Sequence, residues 1–147
     1  MARHSTTETT PFSPQQMYDL VVDMESYQKF LPWCAASGKK DEKPDAFVAE
    51  MTFSFKGFRE TFRTLDRLVP GQRVDITLLS GPFKHLHSGW VFTPAANGTR
   101  IDFYIDFQFS NKLMDLAFGP VFALASKQMV SAFKQRAVDV YGKKENE

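Results

Sequence analysis

The sequence predicts an α+β fold in which a curved antiparallel sheet of about six or seven strands wraps around one long C-terminal helix and leaves an internal apolar cavity. Between residues 47 and 109, apolar and polar residues alternate in segments separated by turn signals, as in strands with one buried face. After residue 110, apolar residues recur every three or four positions, which is the period of a helix. The 15 phenylalanines supply large apolar side chains without polar groups, which suits a core or an apolar pocket.

The chain begins with a predicted polar strand and a short amphipathic helix. Residues 2–10 are rich in Ser and Thr and precede Pro11, which favours a strand. Ser13 can cap the following helix, Pro14 suits its first position, and Gln16 can bond back to the cap. The buried stripe of this helix is predicted to consist of Met17, Leu20, Val21 and Met24.

The segment Tyr27–Cys34 is predicted to form an apolar corner between a helical turn and a strand. Proline disfavours helical geometry in the residue before it, so Leu31-Pro32 should end the turn. Trp33 then lies at the corner, either as a plug of the core or as one lip of a cavity mouth. Cys34, the single cysteine, excludes an intrachain disulfide, and without a hydrolase signature around it we expect it to pack at the strand start.

Turn signals divide the middle of the chain into an antiparallel meander. Each predicted strand has one apolar and one polar face, as expected of a sheet that is covered on one side. Asn-Gly is the strongest hairpin signal among the turns. The turns are predicted at Lys43-Pro44-Asp45, Lys56-Gly57, Pro70-Gly71, Ser80-Gly81-Pro82 and Asn97-Gly98.

The last third of the chain is predicted to be helical from Asn111 to Tyr141. Such a helix would be roughly 46 Å long at 1.5 Å per residue, which exceeds the width of a small domain. We therefore expect Gly119-Pro120 to kink or split it. Residues 1–142 are predicted to form one domain, and residues 143–147 a charged, disordered tail.

Charge and hydropathy restrict the classes of partner and the location. The net charge is +1 with 24% charged residues, so no electrostatic excess favours nucleic acid, and no DNA partner is expected. The longest uncharged stretch of the C-terminal third, Leu116–Ser126, is shorter than the ~20 residues that span a bilayer. The N-terminal residues lack the apolar core of a secretory signal, so we expect a cytoplasmic protein.

His85 and His87 have a spacing that could supply two metal ligands. A third ligand is missing from their neighbourhood, and strand alternation places both on the face opposite Trp90. We therefore predict that they are surface residues and that the protein has no metal site.

Arg59, Arg63 and Arg67 form a stripe on the outer face of a predicted strand. Such a stripe could contact phosphate groups. The near-zero net charge favours the simpler interpretation that it is a solvated strand face.

Glu60 lies between Phe58 and Phe62 on the predicted apolar face. A carboxylate there needs a partner or a proton. It either faces the cavity, where it could hydrogen-bond a polar head group, or reaches water at a strand end or bulge. The sequence contains no Gly-rich phosphate loop or hydrolase motif, so no catalytic residue is predicted.

Three groups of residues, spread in order over nearly the whole chain, carry a family resemblance. They are Phe30-Leu31-Pro32-Trp33-Cys34; Gly81-Pro82-Phe83-Lys84-His85-Leu86 with Trp90; and Val121-Phe122 with Met129, Ala132-Phe133, Arg136-Ala137 and Val140-Tyr141-Gly142. These motifs resemble the coenzyme Q-binding START-domain family, within the polyketide cyclase/dehydrase and lipid transport group. One departure is Gln28, where the family commonly has Pro after the Tyr.

The resemblance implies a helix-grip fold, START or Bet v 1-like, that binds a hydrophobic ligand, with ubiquinone or a similar prenylated lipid expected. It implies a supporting role in respiratory electron transport, without catalysis and without a required cofactor. Similar chains include the bacterial ribosome-association toxins, which implies the large ribosomal subunit as an alternative partner. The superfamily also permits a cyclase-like enzyme that uses the cavity, so three functions stay open.

The predicted ligand-binding residues come from the corner, the sheet and the last helix. They are Leu31 and Trp33; Phe53, Phe55, Glu60, Phe62, Trp90 and Phe107; and Phe118, Phe122, Met129 and Phe133. About half are expected to touch the ligand, because the domain also needs a packed interior. A prenyl tail would gain about 25 cal/mol per Å² of apolar surface taken from water. We expect the ligand to enter the cavity between Gly119-Pro120 and Leu31-Pro32-Trp33, while the protein transiently contacts the inner face of a membrane.

Overall fold

Seven strands and four helices make up residues 2–142, which is the part of the chain described by the computed structural model. The predicted charged tail at residues 143–147 lies outside these described residues. The strands are β1 (Ala2–Thr10), β2 (Cys34–Lys43), β3 (Ala46–Phe55), β4 (Phe58–Val69), β5 (Arg73–Ser80), β6 (Phe83–Ala95) and β7 (Gly98–Phe109). The helices are α1 (Pro14–Val22), α2 (Tyr27–Phe30), α3 (Lys112–Lys127) and α4 (Met129–Tyr141), and a 3₁₀ turn covers Met24–Ser26.

The strands form one antiparallel sheet in the order β1-β7-β6-β5-β4-β3-β2. Successive strands from β2 to β7 are neighbours, whereas β1 pairs with β7 at the far edge. Register shifts in the β2–β3, β4–β5 and β6–β7 ladders mark bulges, which bend strands and increase their twist. The α+β class and the curved sheet of the sequence prediction are confirmed.

The N-terminal helix begins as the sequence predicts. The Ser13 hydroxyl accepts a hydrogen bond from the Gln16 backbone N–H at 3.1 Å, and the Gln16 side chain accepts one from the Ser13 backbone N–H at 2.9 Å. This reciprocal pair satisfies two backbone donors that a helix start otherwise leaves free. The Tyr141 hydroxyl donates to the Gln16 carbonyl at 3.1 Å and ties α4 to α1.

The apolar corner at Leu31-Pro32 joins α2 to the sheet, as predicted. The Leu31 backbone N–H closes the last helical turn on the Tyr27 carbonyl, and the Cys34 N–H then bonds the Leu31 carbonyl, each at 2.9 Å. The Trp33 carbonyl accepts from the Ser54 N–H at 2.8 Å, so the corner is attached to β3. Cys34 is buried at the strand start, and burial raises the pKa of its thiol.

The predicted Asn97-Gly98 hairpin is present, with the turn one residue earlier than the motif suggested. Ala96 and Asn97 form the turn, and Gly98 begins β7. Gly98 has φ +148°, and a Cβ on it would lie 2.0 Å from the Thr10 carbonyl oxygen. The glycine is required because β1 ends against it.

The prediction that Gly119-Pro120 splits the last helix was wrong. Helix α3 continues through Pro120, and the 43° bend to α4 falls at Gln128. Proline has no N–H to donate to the Leu116 carbonyl, four residues earlier. Both residues are exposed, so water can bond this carbonyl instead. The Ser126 hydroxyl donates to the Phe122 carbonyl four residues earlier at 2.8 Å, a bond that often bends helices.

The core lies between the concave sheet face and the last two helices. Phe122 of α3 lies 4.7 to 5.3 Å, between ring centroids, from sheet residues that include Phe107 and Phe83. Phe133 of α4 is fully buried and lies 5.1 Å from Trp90 on the sheet. Aromatic side chains of both helices therefore attach them to the sheet.

Within residues 2–142, no single helix is both long enough and apolar enough to cross a bilayer. Helices α3 and α4 reach that length and composition only when taken together, across the 43° bend.

Candidate functional site

An apolar cavity of about 70 Å³ lies between the sheet and the helices, where the sequence predicts one. Five strands, β3 to β7, contribute residues to the wall of this cavity. The rest of the wall comes from the 3₁₀ turn, α2, the corner, α3 and α4. The lining residues are Met24, Tyr27, Trp33, Ala49, Met51, Phe62, Thr64, Asp66, Ile76, Leu86, Ser88, Trp90, Phe103, Ile105, Phe122 and Met129.

Strand register explains why these residues meet. Asp66 pairs with Ile76, Ile76 with Ser88, and Ser88 with Ile105, so the four form one row across β4, β5, β6 and β7. Residues opposite each other in paired strands point to the same face. This row forms a floor of the cavity on the concave face.

Five of the predicted ligand-binding residues line the cavity. They are Trp33, Phe62, Trp90, Phe122 and Met129. They come from the corner, two strands and both C-terminal helices, so the structure brings together residues that are almost 100 positions apart in sequence. Their role in binding stays a prediction.

The other predicted residues lie around the cavity without lining it. Leu31, Phe107 and Phe133 are buried in the core, and Phe55 is half-buried near the β3–β4 turn. The half-buried Phe118 stacks on Phe58, with ring centroids 3.9 Å apart.

Phe53 and Glu60 face a second, narrower crevice. Its other walls are Phe58, Phe62, Pro82, Phe83, Phe109 and Phe122. Glu60 is half-buried there, so the alternation placed it correctly on the inner side of β4, outside the main cavity.

Asp66 is the cavity residue that the sequence prediction missed. In β4, every second residue points inward, and Asp66 continues the inward series of Phe62 and Thr64 by two positions. The side chain is 3% exposed, and burial raises the pKa of its carboxyl from 3.8 to about 7. The Thr64 hydroxyl donates to Asp66 Oδ1 at 2.6 Å and partly offsets that rise.

Two further polar side chains line the cavity, and both have partners in the protein. Burial raises the pKa of Tyr27 well above its usual value, with the nearby Asp66 carboxyl acting in the same direction. The Tyr27 hydroxyl donates to the Val21 carbonyl. The Ser88 hydroxyl donates to the Tyr104 carbonyl at 2.7 Å, which leaves its oxygen free to accept.

The two histidines lie on the outer face of β6, as predicted. His85 Nε2 is 3.1 Å from Asp106 Oδ1, and His87 Nε2 is 3.0 Å from the Tyr104 hydroxyl. Among the described residues, 2–142, no three His, Cys, Asp or Glu side chains are grouped so that they could hold a metal ion.

The arginine stripe on the outer face of β4 is partly matched by carboxylates. Arg63 Nε lies 2.7 Å from Glu50 Oε2, and Arg67 stands opposite Asp75 on β5. Arg59 is exposed near the β3–β4 turn. The stripe is a solvated strand face with part of its charge balanced.

The outward side of α3 is an exposed apolar surface that we call the α3 stripe. Leu113 and Leu116 are each 77% exposed and Leu124 is 56% exposed, on the same side of the helix as Pro120. The exposed Lys112 and Lys127 lie at the two ends of α3. The carboxylate of Asp115, in the first turn of α3, accepts a hydrogen bond from the Phe109 backbone N–H. Isolated exposed leucines are ordinary, whereas these three lie on one side of a single helix.

Comparison with known proteins gives one family. Residues 10–134 match the family model described as polyketide cyclase / dehydrase and lipid transport. The ribosome association toxin RatA of Escherichia coli (strain K12) is 43% identical over 142 residues, covering 96% of this chain and 90% of that protein. The mitochondrial coenzyme Q-binding protein COQ10 homolog B of Xenopus laevis is 31% identical over 147 residues, covering 97% of this chain and 60% of that protein.

The fold also matches a solved structure. A START superfamily protein from Mycobacterium smegmatis superposes with a TM-score of 0.73 at 15% identity, covering 94% of this chain and 98% of that one. At this identity the likeness concerns the fold alone. The predicted helix-grip, START-like architecture is confirmed.

Replacing Asp66 by Asn should stabilise the protein at high pH. Between pH 3.8 and about 7 the folded state holds the Asp66 proton more tightly than the unfolded chain, so wild-type stability falls as pH rises through this window. We expect the variant's free energy of unfolding to exceed that of the wild type by about 1–4 kcal/mol at pH 8, with the difference shrinking towards pH 4. Urea unfolding at several pH values measures it.

The exposed Asp45 provides the matched control. Asp45→Asn should leave the pH dependence of unfolding unchanged. Parallel stability curves for Asp66→Asn and the wild type would contradict the burial argument.

Proposed function

Because the chain belongs to the polyketide cyclase / dehydrase and lipid transport family, as its motifs predicted, we propose that it binds a hydrophobic small molecule in the apolar cavity without transforming it. The observation that carries this proposal is the cavity itself, which lies between a concave sheet and two helices and has a mainly apolar lining. An apolar molecule that fills it gains the free energy of leaving water.

A prenylated quinone such as ubiquinone is the ligand we propose, in support of respiratory electron transport. One support is the likeness to a protein named coenzyme Q-binding. A second is the aromatic lining, with Phe62, Trp90 and Phe122 presenting flat faces on which a ring can stack.

Binding a prenylated molecule requires the cavity to widen. Its volume of about 70 Å³ is well below the roughly 300 Å³ at which pockets for drug-sized molecules begin. Helix α3 is the element that can yield, since Phe122 and Ser126 are its buried residues among 16. The bend between α3 and α4 falls at Gln128, next to the cavity residue Met129. We therefore propose Gln128, and not the break expected at Gly119-Pro120, as the hinge on which α3 moves.

A catalytic role as a cyclase is less well supported. Such an enzyme needs several polar groups that converge on one substrate atom. Thr64 and Asp66 already bond each other, and Ser88 lies two strands from Asp66, about 10 Å away at ordinary strand spacing. The arrangement favours a binding protein.

Ribosome association is the second candidate function. It is favoured by the 43% identity to a protein named ribosome association toxin. The exposed Arg59 and Arg67, on the outer face of β4, are the basic residues we propose for that contact, with the large subunit as partner. This face is separate from the cavity, so the two functions do not exclude each other.

The α3 stripe is the proposed contact with a membrane, from which the ligand would be loaded. Its leucines could insert at the level of the lipid head groups, and the lysines at its ends would meet anionic phosphates. We therefore propose that the protein is cytoplasmic and peripheral at the inner face of the membrane.

Filling the cavity should abolish ligand binding while leaving the fold intact. Ala49 is buried in the cavity wall on β3, and Ala49→Leu places extra carbon atoms inside it. We expect organic extraction of the purified variant to release at least about tenfold less prenylated quinone than the wild type, measured by mass spectrometry. The control Ala36→Leu lies on the exposed side of β2 and should leave the amount unchanged. If the wild type releases no hydrophobic molecule, the proposed function fails.

Charges on the α3 stripe should weaken membrane binding. We expect the double substitution Leu113→Glu and Leu116→Glu to reduce flotation with vesicles of phosphatidylethanolamine and phosphatidylglycerol roughly tenfold. Leu79→Glu is the matched control, because Leu79 is 53% exposed on β5. An equal loss in both variants, or none in either, would exclude the α3 stripe as the contact.

Charge reversal on β4 tests ribosome association. If that function holds, the wild type co-sediments with isolated large ribosomal subunits at low salt, and Arg59→Glu with Arg67→Glu reduces the bound fraction roughly tenfold. Arg100→Glu on β7 should have no such effect, since Arg100 is exposed on a different strand. Wild-type protein that stays in the supernatant at low salt would remove this candidate.

A further inference from the structure

Within the described residues, 2–142, Asp66 is a carboxyl group without an ion-pair partner, in a cavity whose lining is mainly apolar. Its neighbours across the strands are Phe47 on β3 and Ile76 on β5. Within residues 2–142, the hydrogen bond to its side chain comes from the Thr64 hydroxyl, at Oδ1. A carboxylate in such surroundings is costly, because one neutral donor does not replace the water it has lost.

Among residues 2–142, no ammonium or guanidinium group forms an ion pair with Asp66, and the nearby Lys39 pairs with Glu42 at 3.8 Å. The corner and α2 contribute Tyr27 and the 3₁₀ turn Met24, and Asp23 before that turn is acidic. Strand β2 contributes the thiol of Cys34 and the ammonium of Lys39, which lies 5.1 Å from the centre of the Phe47 ring. Helix α4 contributes Met129 to the cavity wall.

The carboxyl therefore keeps its proton at mildly acidic pH, in agreement with its raised pKa of about 7, at which half of the molecules remain protonated. A protonated carboxyl has an O–H group that needs an acceptor. Because Oδ1 accepts from the Thr64 hydroxyl, the second oxygen is the one left to carry the proton, on a side chain that lines the cavity. Ala49 and Ile76 in the neighbouring wall have no acceptor, and Ser88 is two strands away.

We propose that Asp66 donates a hydrogen bond to an uncharged oxygen of the bound molecule, and that it thereby selects neutral carbonyl compounds over carboxylates of the same shape. This inference rests on the proposed function, because it requires a molecule in the cavity. A carbonyl oxygen satisfies the Asp66 proton, whereas an anionic head group would meet a carboxyl that can itself become negative.

Three small molecules of nearly the same shape test the proposal: acetophenone, ethylbenzene and benzoate. Trp33 and Trp90 are the two tryptophans of the chain and both line the cavity, so their indole N–H signals in ¹⁵N-labelled protein report occupancy. Wild type, Asp66→Asn and Thr64→Val are titrated with each compound at pH 6.0 and pH 8.5. Asparagine keeps a donor at both pH values.

We expect the wild type to bind acetophenone roughly 30-fold more weakly at pH 8.5 than at pH 6.0, because the protonated fraction of Asp66 falls by about that factor. Ethylbenzene binding should not depend on pH. In Asp66→Asn, acetophenone binding should change less than about threefold between the two pH values, and the preference for acetophenone over benzoate should shrink. Thr64→Val removes the hydroxyl that stabilises the Asp66 carboxylate, so the pKa of Asp66 should rise further. Acetophenone binding to this variant should therefore weaken only at a higher pH than in the wild type.

The titrations distinguish failure of the proposed cavity function from failure of the proposed role of Asp66. If none of the three compounds shifts the indole signals, the proposed cavity function is wrong. If acetophenone and ethylbenzene bind the wild type with the same pH dependence, the cavity function stands and the role of Asp66 is overturned. The wild-type titration decides this even where a variant does not fold.

Discussion

The attachment of two helices to the concave sheet face through two phenylalanines determines most of this structure. Phe122 of α3 packs among the rings of Phe53, Phe83 and Phe107, and Phe133 of α4 packs against Trp90 and Tyr27. A curved sheet cannot follow a bent pair of helices everywhere. Between the two anchored positions a space remains, and Met129, next to the bend at Gln128, faces it. The cavity is thus a consequence of how the helices are held.

The sequence was sufficient for the elements whose signals are local. The capping box at Ser13 and the period-two pattern of β4 each depend on residues a few positions apart. The position of the helix break could not be predicted in the same way. A proline usually ends a helix, but the exposed Pro120 leaves its freed carbonyl accessible to solvent, and α3 continues through it. The bend falls instead at Gln128, two residues after Ser126, which bonds the Phe122 carbonyl, and no local sequence signal marks this position.

The candidate site was predictable in its aromatic part and not in its polar part. Trp33, Phe62 and Trp90 are apolar residues on faces that the alternation assigns to the interior, so their convergence follows from the fold. Asp66 lies on the same face, but a carboxyl is usually a surface residue, and its burial is evident only when the register and the covering helices are known. Phe107 and Phe133 share the pattern of the lining residues, yet they pack in the core, because periodicity does not distinguish a cavity wall from a filled interior.

The pairing of β1 with β7 has a consequence for how the chain is made. Ala2 stands opposite Phe107 and Thr10 opposite Thr99, so β1 has no partner until β7, about a hundred residues later, has been synthesised. At about 5–20 residues per second, a hundred residues take roughly 5–20 s. During that time β1 remains an unpaired edge, and α1 exposes the apolar side that later contacts α4. Sheet closure is therefore a late, non-local event, and the nascent chain depends on chaperones or on the polar composition of β1 to avoid association with other chains.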